Sequence, residues 1–206
     1  DGPNRLFTRS LQNWHTHMAM ILNRSMGEGL PLEEWLQKSI WPVEKKLTKQ
    51  FVEIGSKAAA AELISTGTTF ACDMYFHPEV VGKVISDTGL RGIICGPITD
   101  FPFTSNEQDS DSALNQVKNL ISQGSSAPER VEYGIGNHSV YACSEETLRK
   151  ASEISKKTGC KLSIHTSETR QEVADCHAST GMYPIEYLDS IDYFTEGTVC
   201  AHCGWV

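Results

Sequence analysis

Apolar residues along the chain alternate between short runs suited to strands and longer segments whose apolar positions recur every three or four residues, as on one helix face. A half-apolar run near Leu11 leads into His15 and is followed by a loop and an amphipathic stretch over 32–46, which Pro42 should end or kink. Thr48 is placed to cap a helix reaching Thr66, with Gly67 as its stop. Residues 68–74 read as strand, 78–88 as a helix with Pro78 near its first position and Gly89 past its end, and 90–96 as strand. A polar segment over 105–112 precedes a helix with Leu114, Val117, Leu120 and Ile121 on one face, and 123–130 read as a loop. Strand 130–136, helix 144–158 between Ser144 and Gly159, strand 161–165, helix 169–180, a short helix 184–191 and strand 198–203 complete the pattern.

Strands alternating with helices imply a parallel sheet of β/α units, which either a doubly wound open sheet or a barrel satisfies. The placement of histidines changes the picture. His15-Thr16-His17 leaves the first run, and an extended backbone points both imidazoles the same way, close enough to share one metal ion. His138, His165 and His202 end three further runs. Histidines at four strand ends favour a barrel whose chemistry gathers at the carboxyl ends of its strands. A closed barrel needs eight strands, so the expected class is α/β, a (β/α)8 TIM-type barrel with about its first six units in this chain. The sequence opens at Asp1 and ends at Val206 just after a histidine-bearing run, so it reads as a segment of a longer protein.

With 39% hydrophobic and 21% charged residues among 206, the composition is that of an ordinary globular protein. A net charge of -8, with no Lys/Arg cluster, argues against a nucleic-acid partner, and no apolar stretch approaches the length of a membrane span. Seven cysteines, an odd number scattered through apolar runs, suit reduced thiols and a cytoplasmic location. Cys200 and Cys203 form a CxxC, but they lie in a strand-like run with no second CxxC. They read as two small core thiols flanking His202, not as a redox or zinc pair.

At this point several motifs, in order, resemble the amidohydrolase superfamily, and within it the 5-methylthioadenosine/S-adenosylhomocysteine deaminases with their guanine deaminase and chlorohydrolase relatives. The motifs are His15-Thr-His17, the 30–36 stretch LPLEEWL, Trp41-Pro-Val-Glu44, Asp73-Met-Tyr-Phe-His77, His138-Ser139 with Cys143-Ser144, His165 with Glu168-Thr169, and Ala201-His202-Cys203. The resemblance implies a metal-dependent hydrolase barrel over 1–206, with strands seven and eight and a flanking small β domain outside this sequence. It implies that His15, His17 and His165 bind one divalent metal ion, zinc first, with iron or manganese as alternatives. Neutral imidazoles suit such an ion, and three ligands leave a position open for water, which then ionises near a pKa of about 7. Glu168 is expected to shuttle protons, and His202 to hold the attacking hydroxide or the developing oxyanion in line. A fourth ligand, an aspartate from the eighth strand, is expected beyond Val206. Asp73 reads as structural and not as its substitute.

Glu44 matches the family carboxylate that accepts hydrogen bonds from the ribose hydroxyls, His138 a substrate-contacting histidine, and Trp35 an apolar wall. Glu44 at a solvated helix end and Trp35 as plain core are the alternatives. A homocysteine carboxylate would want an arginine fork, and the 96–111 loop has none, which tilts the expectation toward 5'-methylthioadenosine or adenosine. The expected reaction is hydrolytic deamination of an adenine nucleoside to its inosine analogue and ammonia. A guanine or cytosine deaminase or chlorotriazine hydrolase of the same superfamily, and a catalytically incomplete metal-binding fragment, remain as alternatives. A zinc cytidine-deaminase fold is disfavoured because its HxE and Pro-Cys-x-x-Cys signature is absent. The expected partner is a small purine nucleoside, with a homo-oligomer compatible. His77 reads as an incidental loop histidine and His177 as a surface residue of a helix.

Overall fold

A computed structural model of the chain describes residues 6–100 and 109–206. Six strands, β1 (Leu11–Thr16), β2 (Thr68–Met74), β3 (Arg91–Ile98), β4 (Val131–Ser139), β5 (Leu162–Thr166) and β6 (Thr198–His202), pair in parallel in sequence order. β1 and β6 approach each other, so the sheet curls into a nearly closed barrel. The expected barrel of six β/α units is therefore present, and an open doubly wound sheet, whose strand order reverses, is not.

Helices α3 (Lys49–Ser65), α4 (Pro78–Thr88), α5 (Ser110–Gln123), α6 (Glu145–Thr158), α7 (Arg170–Thr180) and α8 (Pro184–Ser190) connect the strands, after the short α1 (Leu32–Trp35) and α2 (Trp41–Glu44). Their starts follow local chemistry. Thr48, Asp109, Ser144 and Thr169 each accept a hydrogen bond from the backbone N–H three residues on, satisfying a donor the first turn leaves orphaned. Gly89 and Gly159 end α4 and α6 in the left-handed conformation, which costs a residue without Cβ little. Between α1 and α2 runs a π turn (Leu36–Ile40), so the chain through Pro42 bends without breaking.

The structure lengthens several elements. β3 and β4 continue to Ile98 and Ser139, past the ends at 96 and 136 suggested by the apolar pattern, because parallel pairing of Pro97 with Gly136 and Ile98 with Asn137 continues the ladder. The loop expected after His17 opens with a 3-10 helix, Met18–Asn23, that had no periodic signal. Of the polar segment 105–112, residues 105–108 lie outside the described residues.

Two apolar clusters lie between strands and helices, one around Val52, Val81, Ile85 and Ile94, the other around Leu148, Leu162, Ile164 and Leu188. A smaller one, Cys72, Met74, Ile93 and Cys95, sits on the opposite face of β2 and β3, inside the barrel. β4 gives it room. A Cβ on Gly136 would lie 2.7 Å from Met74 Cγ, and one on Gly134 would lie 2.6 Å from the Lys161 carbonyl oxygen.

The 3-10 helix is held at one close approach. A Cβ on Gly55 of α3 would stand 2.5 Å from the Ala19 carbonyl oxygen, so backbone packs on backbone there. Gly55→Ala should force the 3-10 helix, and with it the exit of β1, away from α3. The expected cost is about 1–3 kcal/mol in denaturant unfolding. A midpoint equal to wild type would show that the two elements slide apart freely.

Candidate active site

The site begins with a break in regular pairing. The register of β1 against β2 shifts between Asn13 and Thr16, and the freed His15 N–H donates to Asn13 Oδ1 at 3.2 Å. The next turn is anchored twice to β2. Asp73, fully buried, accepts the Met18 N–H through Oδ1 at 2.5 Å, and the neighbouring Met74 carbonyl accepts the Nδ1–H of His17 at 2.5 Å. Asp73 is thus structural, as its position at the end of a strand suggested.

A matching arrangement closes β5. His165 Nδ1–H donates to the His138 carbonyl at 2.6 Å, so β4 orients the imidazole of β5. With Nδ1 the donor in both rings, His17 and His165 each carry a lone pair on Nε2. Those two Nε2 atoms face each other at 3.2 Å. Two acceptors at that distance repel unless a proton or a cation lies between them. Two ligands at about 2.0–2.1 Å in tetrahedral geometry stand about 3.3 Å apart, so the separation suits zinc. His15 adds a second sign of the same kind, since its buried Nδ1 has no hydrogen-bond partner. Its ring lies 4.9 Å from that of His17 and 4.8 Å from that of His165.

His202 joins the cluster. One nitrogen from each of His15, His165 and His202 falls within 4.8 Å of the others, a donor set able to hold a cation. His17, expected as a ligand, lies outside that set and adjoins it through His165, whereas His202, expected only beside the ligands, lies within it.

Desolvation and mutual proximity keep the rings of His15, His17, His138 and His165 neutral. Burial, reinforced by the neighbouring His17 and His202, drives the pKa of His15 down to about 3, and burial drives that of His138 to about 4. His17 and His165 are also displaced downward, chiefly by burial. Neutral imidazole is the metal-binding form.

Glu168 is placed by the start of α7. Thr169 Oγ1 accepts the Glu172 N–H at 3.1 Å, while the Glu172 carboxylate reaches back to the N–H groups of Ser167 and Glu168 at 3.1 and 2.8 Å. This differs from the usual reciprocal Thr-x-x-Glu cap, because the carboxylate reaches the N–H groups of the two residues before the cap. Ser167, His202 and Cys203 all have positive φ, an uncommon conformation for these residue types. The strand ends stay in it because Cys203 N–H donates to the Thr166 carbonyl and Gly204 N–H to that of Ser167. The outcome is Glu168 Oε1 at 3.7 Å from His202 Nε2, with the carboxyl pKa raised by burial.

A cavity of about 310 Å3 opens over the imidazoles and is bordered by Trp35, Glu44, His138 and Glu168. All eight residues singled out in the sequence thus meet in one place. Trp35 Nε1 donates to the Met26 carbonyl at 2.7 Å, which fixes the indole as a wall. Glu44 is 6% exposed, so it is no solvated helix end, and burial raises its pKa to about 7. Sequence reasoning missed Tyr75, Tyr141 and Thr99, which also border the cavity. Tyr75 directly follows a strand end, the one signal that pointed to it. Asn137, next to His138, is buried and accepts the Tyr193 hydroxyl hydrogen at 2.9 Å. His77 caps α4 beside Glu79 and His177 lies on α7 against Tyr183, both apart from the imidazole cluster.

Residues 10–206 match the profile of the amidohydrolase family. The 5'-deoxyadenosine deaminase of Methanosphaera stadtmanae is 40% identical over 206 residues, covering 100% of this chain and 48% of that protein. The 5-methylthioadenosine/S-adenosylhomocysteine deaminase of Thermodesulfovibrio yellowstonii is 36% identical over 195 residues, 94% of this chain and 44% of that one. An adenosine deaminase from Xanthomonas campestris, crystallised with bound zinc, superimposes with a TM-score of 0.87 at 30% identity, over 93% of this chain and 44% of its own. The chain spans about half the length of the curated relatives it matches.

The titration of the cluster sets a pH dependence for metal-stripped protein. The four depressed imidazoles resist protons that the unfolded chain accepts near pH 6.5, so stability is lost as pH falls below that value toward about 3. Glu44 and Asp73, each raised to about 7 by burial, together with Glu168 and Glu172, also raised by burial, act oppositely by costing stability as pH rises from about 4 to 7. The imidazoles decide the balance between pH 5 and 7, because the unfolded-state titration of all four falls inside that interval. Chelator-treated protein should unfold at lower denaturant at pH 5 than at pH 7, and an equal or higher midpoint at pH 5 would contradict the balance.

Proposed function

The chain belongs to the amidohydrolase family, and from that footing we propose that it forms the metal-binding part of a hydrolytic deaminase of adenine nucleosides. The observation that carries this reading is the pair of Nε2 lone pairs of His17 and His165 facing each other at 3.2 Å, with Glu168 and His202 beside them. We assign His15, His17 and His165 as ligands of one divalent ion, zinc before iron or manganese, and His202 to the reacting oxygen. When bound, such an ion supplies Lewis acidity and makes water a nucleophile at neutral pH.

The chain's own groups account for the rest. Glu168, whose burial favours the protonated carboxyl, delivers its proton to the ring nitrogen beside the attacked carbon, and the resulting carboxylate takes up the proton released by the attacking water. The hydroxyl proton of the tetrahedral carbon then passes to the amino group, which leaves as ammonia, and the carbon becomes the carbonyl of the inosine analogue. His202, 3.7 Å from Glu168, is near enough to steady the oxygen that becomes this carbonyl. Trp35 and His138 border the purine space, and Glu44, buried in the same cavity, supplies a bidentate acceptor for the ribose hydroxyls. A free base or a triazine would leave that buried carboxylate unused.

The names of the relatives support adenine nucleosides as a class. Within it we favour a small uncharged 5' group, as in 5'-methylthioadenosine, 5'-deoxyadenosine or adenosine, because 96–111 contains no arginine for a homocysteine carboxylate. Two further strands, an aspartate ligand on the last of them and a small β domain would occupy the remainder of a protein of the relatives' length. Seven free thiols suit a reducing cytoplasm, and no described helix is long and apolar enough to cross a membrane.

An ultraviolet assay over adenine nucleosides, free purines and triazines, coupled to metal analysis of the full-length protein, tests the proposal. Activity confined to free bases or triazines would overturn it. Glu168→Gln should retain the metal and lose on the order of 10²–10⁴ in kcat, because it removes proton transfer and leaves the ligands in place; parallel loss of metal would refute that role. Glu44→Ala should raise KM for adenosine at least about tenfold more than for a free purine.

A further inference from the structure

Behind the imidazoles, the end of β4 carries a buried series of hydrogen bonds that the proposed reaction does not use. Tyr193 and Cys143 belong to the apolar cluster around Leu148 and Ile164, and Asn137, fully buried, sets an amide between them. The Tyr193 O–H donates to Asn137 Oδ1 at 2.9 Å, Asn137 Nδ2 donates to Cys143 Sγ at 3.8 Å, and the Cys143 thiol donates to the Ile98 carbonyl at 3.3 Å. All three bonds run in one direction, which fixes the orientation of the amide. Apolar side chains of similar shape would fill the same layer at little or no loss of stability, so packing alone does not call for these groups. What they adjoin is an irregularity. Asn137 pairs with Ile164 and Ser139 with His165, so β4 has one residue more than β5 over this step, and that residue is His138. Its carbonyl accepts the Nδ1–H of His165 at 2.6 Å, and its ring borders the cavity. Cys143 ties both neighbours of His138, taking the Asn137 amide through sulfur and donating its own N–H to the Ser139 carbonyl at 3.1 Å.

We propose that Asn137 is a positioning residue whose amide, set by Tyr193 and Cys143, fixes the bulge at His138 so that its carbonyl orients His165 and its imidazole meets the cavity. Bulges re-aim backbone and side chains, and this one directs a carbonyl at a ring nitrogen of the neighbouring strand. Were the bulge slack, the carbonyl could turn away, and His165 would lose the partner that sets its tautomer and the direction of Nε2. Tyr193, which lies between α8 and β6, is thereby linked to the metal-binding rim of β5 without touching it. The inference rests on the assignment of His165 as a metal ligand and is independent of which ring the enzyme deaminates.

The test uses full-length protein loaded with cobalt(II), whose visible absorption reports ligand geometry. Asn137→Leu and Tyr193→Phe each strand a buried polar group and should lower the thermal midpoint. Asn137→Leu should also shift the cobalt band, speed loss of cobalt to a chelator by about tenfold or more, and lower kcat/KM for adenosine by about tenfold or more. Tyr193→Phe should move all three in the same direction by less. The double variant Asn137→Leu/Tyr193→Phe separates position from packing. With both groups apolar it should regain most of the midpoint, while its cobalt band and chelator rate stay those of Asn137→Leu. Recovery of the band together with the midpoint would reduce Asn137 to packing and overturn the proposal, as would a wild-type band in Asn137→Leu. Ile85→Val, in the other apolar cluster, should lower the midpoint and leave band and chelator rate unchanged, which controls for lost stability. If Asn137→Leu does not fold, Tyr193→Phe carries the test, and a wild-type band and chelator rate in that variant would overturn the proposal. A wild type that binds cobalt and deaminates no adenine nucleoside would remove the nucleoside reading and leave this inference to the cobalt measurements. A wild type that binds no cobalt would remove the ligand assignment and this inference together.

Discussion

Two imidazole lone pairs directed at the same point govern this molecule. His17 and His165 come from opposite regions of the chain, and each is oriented by a backbone carbonyl of an adjacent strand, Met74 on β2 and His138 on β4. Backbone acceptors fix the tautomer, and the tautomer leaves Nε2 free. Holding two acceptors 3.2 Å apart is unfavourable without a cation, so the rest of the barrel must supply enough rigidity to impose it. Buried Asp73, the close contact of Gly55 with the 3-10 helix and the tight packing at Gly134 and Gly136 of β4 all serve that end.

Placement of the carboxylate uses a different device. Glu168 lies on the short link between β5 and α7, where an unsupported side chain would wander. The Glu172 carboxylate ties down the backbone of Ser167 and Glu168, and the exit of β6 is bonded onto the exit of β5. The positive φ angles at Ser167, His202 and Cys203 are the cost of turning both chains inward at the same level. A helix cap is thereby made to hold a side chain at a reactive centre.

The cavity is mostly apolar, and Glu44, Thr16, Thr99, Tyr75 and Tyr141 add polar groups to its wall beside the imidazoles and Glu168. On the proposed reading, the imidazoles and Glu168 meet the reactive ring and Glu44 meets the ribose hydroxyls. Fold alone does not distinguish a nucleoside from a bare heterocycle, because an adenosine deaminase and a guanine deaminase with bound guanine share it.

Much of this was present in the order of residues. Periodicity and punctuation located every long helix and each of the six strands, since Thr48, Ser144, Gly89 and Gly159 act through their immediate neighbours. Four runs ending in histidine signalled a shared centre, because parallel β/α units bring strand ends to one rim whatever the side chains between them. The sequence could not determine the 3-10 helix after His17, which exists through contact with α3, or the added length of β3 and β4, which depends on partners. Nor could it show that Glu44 is buried, that Tyr75 lines the same cavity, or that His202 stands within reach of His15 and His165. Local chemistry specifies elements through near neighbours; distances between residues some 150 positions apart, as for His17 and His165, exist only once the sheet has curled and its register is set.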